Sequence, residues 1–269
     1  IFMGTPDIAS IYLNSLIDLK YNIVAIYSQP PRKKGRGMKI QESPVHKMAV
    51  KNSIKIFTPT NLNNEKLKKE FQILKPDIVI VMGYGLKLPN YLINFPKFGC
   101  INIHVSLLPR WRGAAPIEHT LLAGDVKTGI SVIRISPKLD AGDILMQESF
   151  ALDKDMNSND LTINLTNLGK KTLMKTLPLL FEKKIIGKKQ DESKVTYANK
   201  FLSEDRKINF YNSTDDVYNH IRAHGPKPGS WFTYKGERIK IIKAKKTKES
   251  GQSSTILNKD FIIGCKDGG

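Results

Sequence analysis

Two polar side chains interrupt an apolar segment near the middle of the chain. Asn102 and His104 alternate with Ile101, Ile103 and Val105. Because the side chains of a β-strand point alternately to its two faces, a strand here sends the amide and the imidazole to one face and the aliphatic groups to the other. The Ser-Leu-Leu-Pro that follows ends the strand. The polar pair therefore lies near its carboxyl end, where open α/β sheets bind ligands.

Asp140 follows a second apolar segment, residues 130–135, and so reaches the same edge of the predicted sheet. A side-chain amide donates hydrogen bonds to a developing oxyanion, an imidazole exchanges a proton near neutral pH, and a carboxylate fixes the imidazole or holds a water molecule. Asn102, His104 and Asp140 are therefore candidate catalytic residues, and a substrate that brings its own amine would need no serine or cysteine nucleophile. The alternative is a hydrogen-bonded strand pair and an ordinary turn carboxylate.

Strands and helices alternate from residue 1 to residue 135, which predicts an α/β fold with a doubly wound, mostly parallel, Rossmann-like sheet. The predicted strands are residues 1–3, 22–27, 77–82, 101–105, 130–135 and 147–152. The predicted helices are residues 8–19, 43–51, 64–74, 117–123 and 159–186. Gly169 and Pro178 are candidate breaks in the last helix, and Thr5 is a candidate N-cap of the first. The absence of a G-x-G-x-x-G motif argues against a dinucleotide site.

The C-terminal part of the chain has a different pattern. Residues 231–234, 237–244 and 260–265 predict antiparallel strands of a small, OB-like β-barrel. His220 and His224 stand four residues apart on a predicted helix that precedes these strands. A metal pair needs a third ligand, and the sequence offers no evident one, so we predict no metal site.

With 269 residues, the chain can hold one large domain and a smaller one. We predict a catalytic domain at residues 1–187 and a polar linker at residues 188–203. A basic β-barrel domain is predicted at residues 204–269, and we expect it to be incomplete at its C-terminal end.

The net charge of +18 is the most informative feature of the composition. Such an excess of cations favours an anionic partner, and nucleic acid ranks above a membrane surface because no basic amphipathic helix with an aromatic apolar face is evident. No apolar run approaches the roughly 20 residues that span a bilayer. Cys100 and Cys265 are far apart in sequence, which is typical of a reducing compartment and predicts a cytoplasmic protein. No protein partner is indicated.

Residues 28–39 predict an irregular loop, because they contain two prolines and two glycines. Five cations lie within residues 32–39. Gly35 and Gly37 allow the backbone to approach a ligand closely, so this basic loop is a candidate arm for phosphate groups. A solvated surface loop is the alternative. The lysine-rich tail after residue 234 suits RNA, or it is a solvated face.

The sequence of residues 100–117, CINIHVSLLPRWRGAAPI, closely resembles the methionyl-tRNA formyltransferase family. The resemblance starts at residues 2–7, continues through residues 124–129 and 139–145, and persists more weakly to about Trp231. The pattern Asn-x-His, Ser-Leu-Leu-Pro and a later Asp is shared by folate-dependent formyltransferases, whereas Arg-Trp-Arg-Gly-Ala-Ala-Pro is more specific to the tRNA enzymes.

This resemblance implies transfer of a formyl group from 10-formyltetrahydrofolate to the α-amino group of methionyl-initiator tRNA, without a metal. It implies a folate pocket formed by Ser106, Leu107, Leu108, Pro109, Tyr84 and Gly85, although a plain βα turn also fits the last two. It further implies a tRNA-binding loop and a tRNA-binding C-terminal barrel, for which the candidate residues are Lys34, Arg36, Lys39, Lys243 and Lys245.

Two other functions stay open at this point. The first is a folate-dependent formyltransferase that acts on a small amine, such as an amino-sugar nucleotide or glycinamide ribonucleotide. The basic loop, residues 110–112 and the basic tail argue against it. The second is an RNA-binding protein without enzymatic activity, which would leave Asn102, His104 and Asp140 without a role.

Overall fold

The computed structural model describes residues 1–35 and 37–269, so the predicted tRNA contact of Arg36 lies outside the described residues. Its helices are α1 (Asp7–Asp18), α2 (Pro44–Lys51), α3 (Glu65–Ile73), α4 (Asn90–Asn94), α5 (Pro116–Leu122), α6 (Ser158–Phe181) and α7 (Thr214–His224). Its strands are β1 (Phe2–Gly4), β2 (Ile26–Tyr27), β3 (Arg32–Lys34), β4 (Lys39–Gln41), β5 (Ile56–Phe57), β6 (Val79–Met82), β7 (Cys100–His104), β8 (Arg112–Gly113), β9 (Lys127–Arg134), β10 (Ile144–Ala151), β11 (Tyr197–Ala198), β12 (Ser230–Tyr234) and β13 (Glu237–Ile241).

One sheet of seven strands has the order β10-β9-β7-β6-β1-β2-β5. Strand β1 pairs in parallel with β2 and β6, β2 pairs in parallel with β5, and β6 with β7. Strand β9 runs antiparallel to β7. The predicted α/β fold with a mostly parallel sheet is therefore confirmed. Because β2 and β6 lie on opposite sides of β1, the strand order reverses there, and the carboxyl ends of β1 and β6 flank the crevice where such sheets bind ligands.

The chain divides into two compact units. The first comprises Ile1–Pro109, Ile130–Glu148 and Thr166–Ser193, and the second comprises Arg110–Gly129, Ser149–Leu165 and Lys194–Gly269. In the first unit every residue of β6 is buried, as expected of a central parallel strand that is covered on both faces. The core of this unit is a cluster that includes Met3, Tyr27, Phe71, Val81 and Leu92.

Two local expectations about helices are wrong. Thr5 does not cap α1, because its Oγ1 donates a hydrogen bond to Tyr84 O (3.1 Å) instead. Gly169 does not break α6, which runs through it and through Pro178. A Cβ atom on Gly169 would lie 1.9 Å from the Tyr12 hydroxyl oxygen, so this glycine allows a close approach to α1.

The predicted irregular basic loop contains a short antiparallel hairpin, β3–β4, in which Lys33 pairs with Ile40. Gly35 and Gly37 have φ angles of +75° and +82°. Glycine adopts this left-handed conformation without steric cost, so these residues allow a tight turn where the sequence indicated only a break. Met38 and Ile40 expose 60% and 71% of their surface on this hairpin.

In the second unit, β12 and β13 form an antiparallel hairpin, as predicted. Helix α7 begins after Ser213, whose Oγ accepts a hydrogen bond from Asp216 N (3.1 Å). The predicted strand at residues 260–265 is instead an isolated bridge between Ile256 and Ile263. A small core, which includes Phe210, Phe232 and Ile221, holds these elements together.

None of the helices in residues 1–35 and 37–269 combines the length and the apolar character that a membrane span requires. The same part of the chain contains no cluster of three histidine, cysteine or acidic side chains that could hold a metal ion. The rings of His220 and His224 lie 4.9 Å apart on α7. The Nε2 atom of His220 is 3.0 Å from Asp205 O, a hydrogen-bond contact within the protein.

The buried His224 makes the stability of the second unit depend on pH. Burial, and secondarily the nearby His220, lowers the pKa of His224 from 6.5 to about 4. Between these values the unfolded chain binds a proton that the folded chain does not, so we expect the free energy of unfolding to fall by roughly 1 to 3 kcal/mol as the pH falls through this window. Denaturant unfolding at several pH values measures this.

The substitution His224→Phe removes the titrating group and keeps an aromatic ring beside Phe201, 4.9 Å away in the native chain. We expect this variant to lose much of the pH dependence, while His220, whose pKa is also lowered by burial, retains the rest. An unchanged slope in His224→Phe would contradict this account.

Candidate active site

The structure brings Asn102, His104 and Asp140 together in the first unit. Asn102 is the middle residue of β7 and His104 its last, and Asp140 comes from the loop between β9 and β10. Asp140 Oδ1 accepts a hydrogen bond from Asn102 Nδ2 at 3.4 Å. Asp140 Oδ2 lies 3.6 Å from His104 Nδ1. The side chains of His104 and Asp140 are only 6% and 13% exposed, so water screens their interaction weakly.

The backbone around Asp140 is unusual. Asp140 has a φ angle of +46°, which costs a non-glycine residue of this kind about 1 kcal/mol. A Cβ atom on Gly142 would lie 1.7 Å from Arg134 O, so only glycine lets the loop pass this close to the end of β9. The loop is therefore held in a strained and close-packed conformation.

Gln190 holds this loop from a distant part of the chain. Its Nε2 donates hydrogen bonds to Asp140 O (2.7 Å) and Gly142 O (2.8 Å). The sequence does not point to this residue, because a single glutamine in a polar stretch that resembles a linker carries no signal of its contacts.

The Ser-Leu-Leu-Pro segment after β7 is fixed by two further residues to which the sequence alone does not point. The Oγ of Ser131, on β9, donates to Ser106 O (2.7 Å) and accepts from Leu108 N (3.0 Å). Gln147 Nε2, on β10, donates to Leu108 O (2.8 Å) and to Ser131 Oγ (2.8 Å). The Leu108 side chain is buried, whereas Leu107 and Pro109 are half-buried. The backbone polar groups of Leu107 make no hydrogen bond within the described residues.

A network of hydrogen bonds fixes the turn after β6. Tyr84 O accepts hydrogen bonds from Thr5 Oγ1 (3.1 Å) and from Gln29 Nε2 (3.2 Å). Gln29 Oε1 in turn accepts from Arg32 Nη2 (2.6 Å), at the start of the basic hairpin. The Tyr84 ring is buried, its hydroxyl has no hydrogen-bond partner in residues 1–35 and 37–269, and burial raises its pKa. Gly85 has a φ angle of +87°.

Residues 110–112 belong to the second unit, and at least one of the two arginines there is paired with a carboxylate of the protein. Arg110 makes a bidentate pair with Asp125 (3.0 and 2.7 Å), and Trp111 Nε1 donates to the same carboxylate (2.8 Å). This pairing raises the pKa of the Arg110 guanidinium. Arg112 is buried. Arg110 and Trp111 therefore share one carboxylate within their own unit.

Three of the predicted tRNA-binding lysines have exposed side chains, namely Lys39, Lys243 and Lys245. The backbone of Lys34 lies in β3. In contrast, Lys246 Nζ pairs with Asp215 Oδ1 at 2.6 Å. Lys246 is exposed as well, so these neighbouring lysines differ in their pairing and not in their exposure.

The grouping of Asn102, His104 and Asp140 can support acyl-type chemistry. The amide and the imidazole are donors for an oxyanion, and the carboxylate orients both of them. In a site from which water is largely excluded these interactions are stronger than in solvent. The arrangement resembles a proton-transfer and oxyanion-stabilising site, and it contains no serine or cysteine nucleophile among these residues.

Comparisons with known proteins agree with this chemistry. The formyl transferase family model matches residues 1–177, and the model of the formyl transferase C-terminal domain matches residues 200–269. A methionyl-tRNA formyltransferase of Paramagnetospirillum magneticum is 39% identical over 98% of this chain and 87% of its own length. One of Wolbachia sp. subsp. Drosophila simulans is 40% identical over 100% of this chain and 88% of its own length.

Among solved structures, the N-formyltransferase of Helicobacter canadensis in complex with folinic acid and dTDP-3-aminofucose is similar to this chain. Its TM-score is 0.76 at 22% sequence identity, and the match covers 99% of this chain and 95% of that one. This likeness shows a shared fold.

Ser131→Ala tests how the Ser-Leu-Leu-Pro segment is held. The change removes a buried hydroxyl with three hydrogen-bond partners, so we expect the free energy of unfolding to fall by roughly 1 to 3 kcal/mol. Denaturant unfolding measures the loss. The control is Ser136→Ala, since that hydroxyl makes an exposed local bond to Lys138 O. Equal effects of the two changes would contradict the role given to Ser131.

Proposed function

The chain belongs to the methionyl-tRNA formyltransferase family, and on that premise we propose that it transfers the formyl group of 10-formyltetrahydrofolate to the α-amino group of methionyl-initiator tRNA. The observation that carries the proposal is the contact of Asp140 with both Asn102 and His104 in a largely buried site. This activity serves translation initiation, and we assign it to the cytoplasm.

The reaction needs little activation of the nucleophile. An α-amine with a pKa near 8 is roughly one-tenth neutral at pH 7. Its nitrogen attacks the formyl carbon, and the carbonyl electrons move to oxygen to give a tetrahedral oxyanion. Asn102 Nδ2 and His104 donate hydrogen bonds to this oxygen. Since Nδ1 of His104 lies beside Asp140, the donor to the oxyanion is Nε2.

Collapse of the tetrahedral intermediate re-forms the carbonyl group and breaks the bond between the formyl carbon and N10 of the folate. The amine loses a proton, and N10 gains one. Asp140 orients His104 and a water molecule that carries this proton between the two nitrogens. The balance requires no oxidant and no metal.

The folate binds against Ser106–Pro109 and the turn at Tyr84 and Gly85. The bonds from Ser131 and Gln147 support this proposal, because they hold the segment rigidly and leave the backbone groups of Leu107 for the pterin ring. Half-buried Leu107 and Pro109 supply apolar contact.

The tRNA binds to the basic hairpin through Lys34, Arg36 and Lys39 and to the C-terminal domain through Lys243 and Lys245. We assign the catalytic domain to residues 1–187, a linker to 188–203 and an OB-like barrel to 204–269. The antiparallel β12–β13 hairpin supports the last assignment, and the exposed lysines of this region support its proposed contact with tRNA.

The proposal predicts that Asn102→Ala, His104→Ala and Asp140→Ala each reduce turnover by roughly a hundredfold or more. Their effects should not be additive, because the three residues act as a unit. The measurement is formyl transfer from 10-formyltetrahydrofolate with charged initiator tRNA, charged elongator tRNA and small amines offered in parallel.

Asn14→Ala, on the exposed face of α1, is the control for loss of an asparagine. Normal turnover in a folded His104→Ala variant would remove the proposed mechanism. Faster transfer to an amino-sugar nucleotide or to glycinamide ribonucleotide than to methionyl-tRNA would show that the natural acceptor is a small amine.

Lys243→Ala and Lys245→Ala should weaken the binding of any tRNA alike, because a lysine contact with phosphate carries no sequence information. Each should reduce the slope of log K against log salt concentration by about 0.7 to 0.9. Lys246→Ala is the matched control, since Asp215 already neutralises that ammonium group. Equal losses in all three variants would show a diffuse charge effect in place of defined contacts.

A further inference from the structure

We propose that Gln190 is a positioning residue for the active site and that it acts through the backbone of Asp140. Nothing in its sequence context assigns it a role. The inference rests on the proposed function, in which the Asp140 carboxylate orients His104 and Asn102. The side-chain amide of Gln190 binds backbone carbonyl oxygens of the Asp140 loop, so its proposed contribution is the placement of that carboxylate.

The side-chain amide of Gln190 is matched to the loop that it holds. An NH₂ group has two N–H donors, and here they meet the carbonyl oxygens of Asp140 (2.7 Å) and Gly142 (2.8 Å). Both donors are thus used on residues that flank Ala141. A side chain of the same length without donors would leave two carbonyl oxygens of a packed loop without these partners.

The loop needs such a clamp because its conformation is costly. Asp140 has a φ angle of +46°, and Gly142 packs where a Cβ would lie 1.7 Å from Arg134 O. The backbone hydrogen bond from Ala141 N to Lys138 O within this turn is long, at 3.5 Å. Strained conformations persist only when the surrounding contacts determine them, and the two bonds from Gln190, at 2.7 and 2.8 Å, are short contacts of this kind.

Gln190 itself is held firmly enough to act as a clamp. Lys188, two residues earlier, exchanges two backbone hydrogen bonds with Ile144, each 2.8 Å long. A Cβ on Gly187 would lie 2.7 Å from Asp143 Cβ, so this segment packs tightly along the start of β10. Its anchor is therefore the strand that immediately follows the Asp140 loop.

Small movements of this loop matter because the catalytic contacts are already long. Asp140 lies 3.4 Å from Asn102 Nδ2 and 3.6 Å from His104 Nδ1. Hydrogen bonds weaken rapidly beyond such distances, so a further shift of a few tenths of an ångström would uncouple the carboxylate from both side chains. A displacement of about 1 Å can cost a hundredfold in rate.

The test is Gln190→Met, which keeps the length of the side chain and removes both donors, measured by steady-state formyl transfer to methionyl-tRNA. We expect kcat to fall roughly ten- to a hundredfold, with KM for tRNA and folate changed by less than about twofold. Gln190→Glu places acceptor oxygens against the two carbonyl oxygens, so we expect it to reduce kcat by at least the same factor. Gln72→Met, at an exposed position of α3, is the matched control.

A double-mutant cycle separates positioning from general structural support. In an Asp140→Ala background, Gln190→Met should change the residual rate by less than about twofold, because the carboxylate that it positions is gone. An equal loss in both backgrounds would overturn the inference, as would normal turnover in Gln190→Met. Should Gln190→Met fail to fold, Gln190→Glu carries the same cycle.

The outcome for Asp140 distinguishes this inference from the proposed function. An inactive Asp140→Ala beside a fully active Gln190→Met overturns the role of Gln190 and leaves the proposed function intact. A fully active Asp140→Ala overturns the catalytic assignment and the positioning role together.

Discussion

The placement of the Asp140 carboxylate is the constraint on which the active site depends. It has to reach an amide and an imidazole on β7, while its own backbone adopts a left-handed conformation that disfavours a residue with a Cβ. Two contacts hold the loop in this conformation: Gly142 packs against the end of β9, and Gln190, 50 residues later in the chain, donates hydrogen bonds to the loop. Strain at Asp140 is thereby balanced by contacts that have no part in the chemistry.

The same solution occurs at the other irregular segments of this sheet edge. Ser131 and Gln147 satisfy the backbone of the Ser-Leu-Leu-Pro segment, and Thr5 and Gln29 satisfy the carbonyl of Tyr84. In each case a polar side chain on a neighbouring element replaces the partner that a strand or helix would have supplied. The loops at the ends of the parallel strands are therefore fixed before a substrate arrives, which is the condition under which oriented dipoles stabilise a transition state at low cost.

The sequence predicts those features that depend on local periodicity. The alternation of polar and apolar residues along β7 predicts that Asn102 and His104 share one face. The alternation of strands and helices along the chain predicts a mostly parallel sheet. The roles of Gln190 and Ser131 depend on contacts 50 and 25 residues away, and no local pattern carries them. The role of Gly169 is hidden for the same reason, since the need for glycine there follows from its distance to Tyr12 and not from helix propensity.

The net charge of the chain likewise does not predict which of its cations bind a partner. An excess of cations indicates an anionic class of partner. It does not show which cations pair with the protein's own carboxylates and which remain unpaired at the surface. Arg110, in the most family-specific motif, is bound to Asp125, and its neighbour Arg112 is buried. Lys245 and Lys246 are both exposed, and Lys246 pairs with Asp215. Function in a basic segment is therefore decided residue by residue, by the carboxylates that the fold brings within reach.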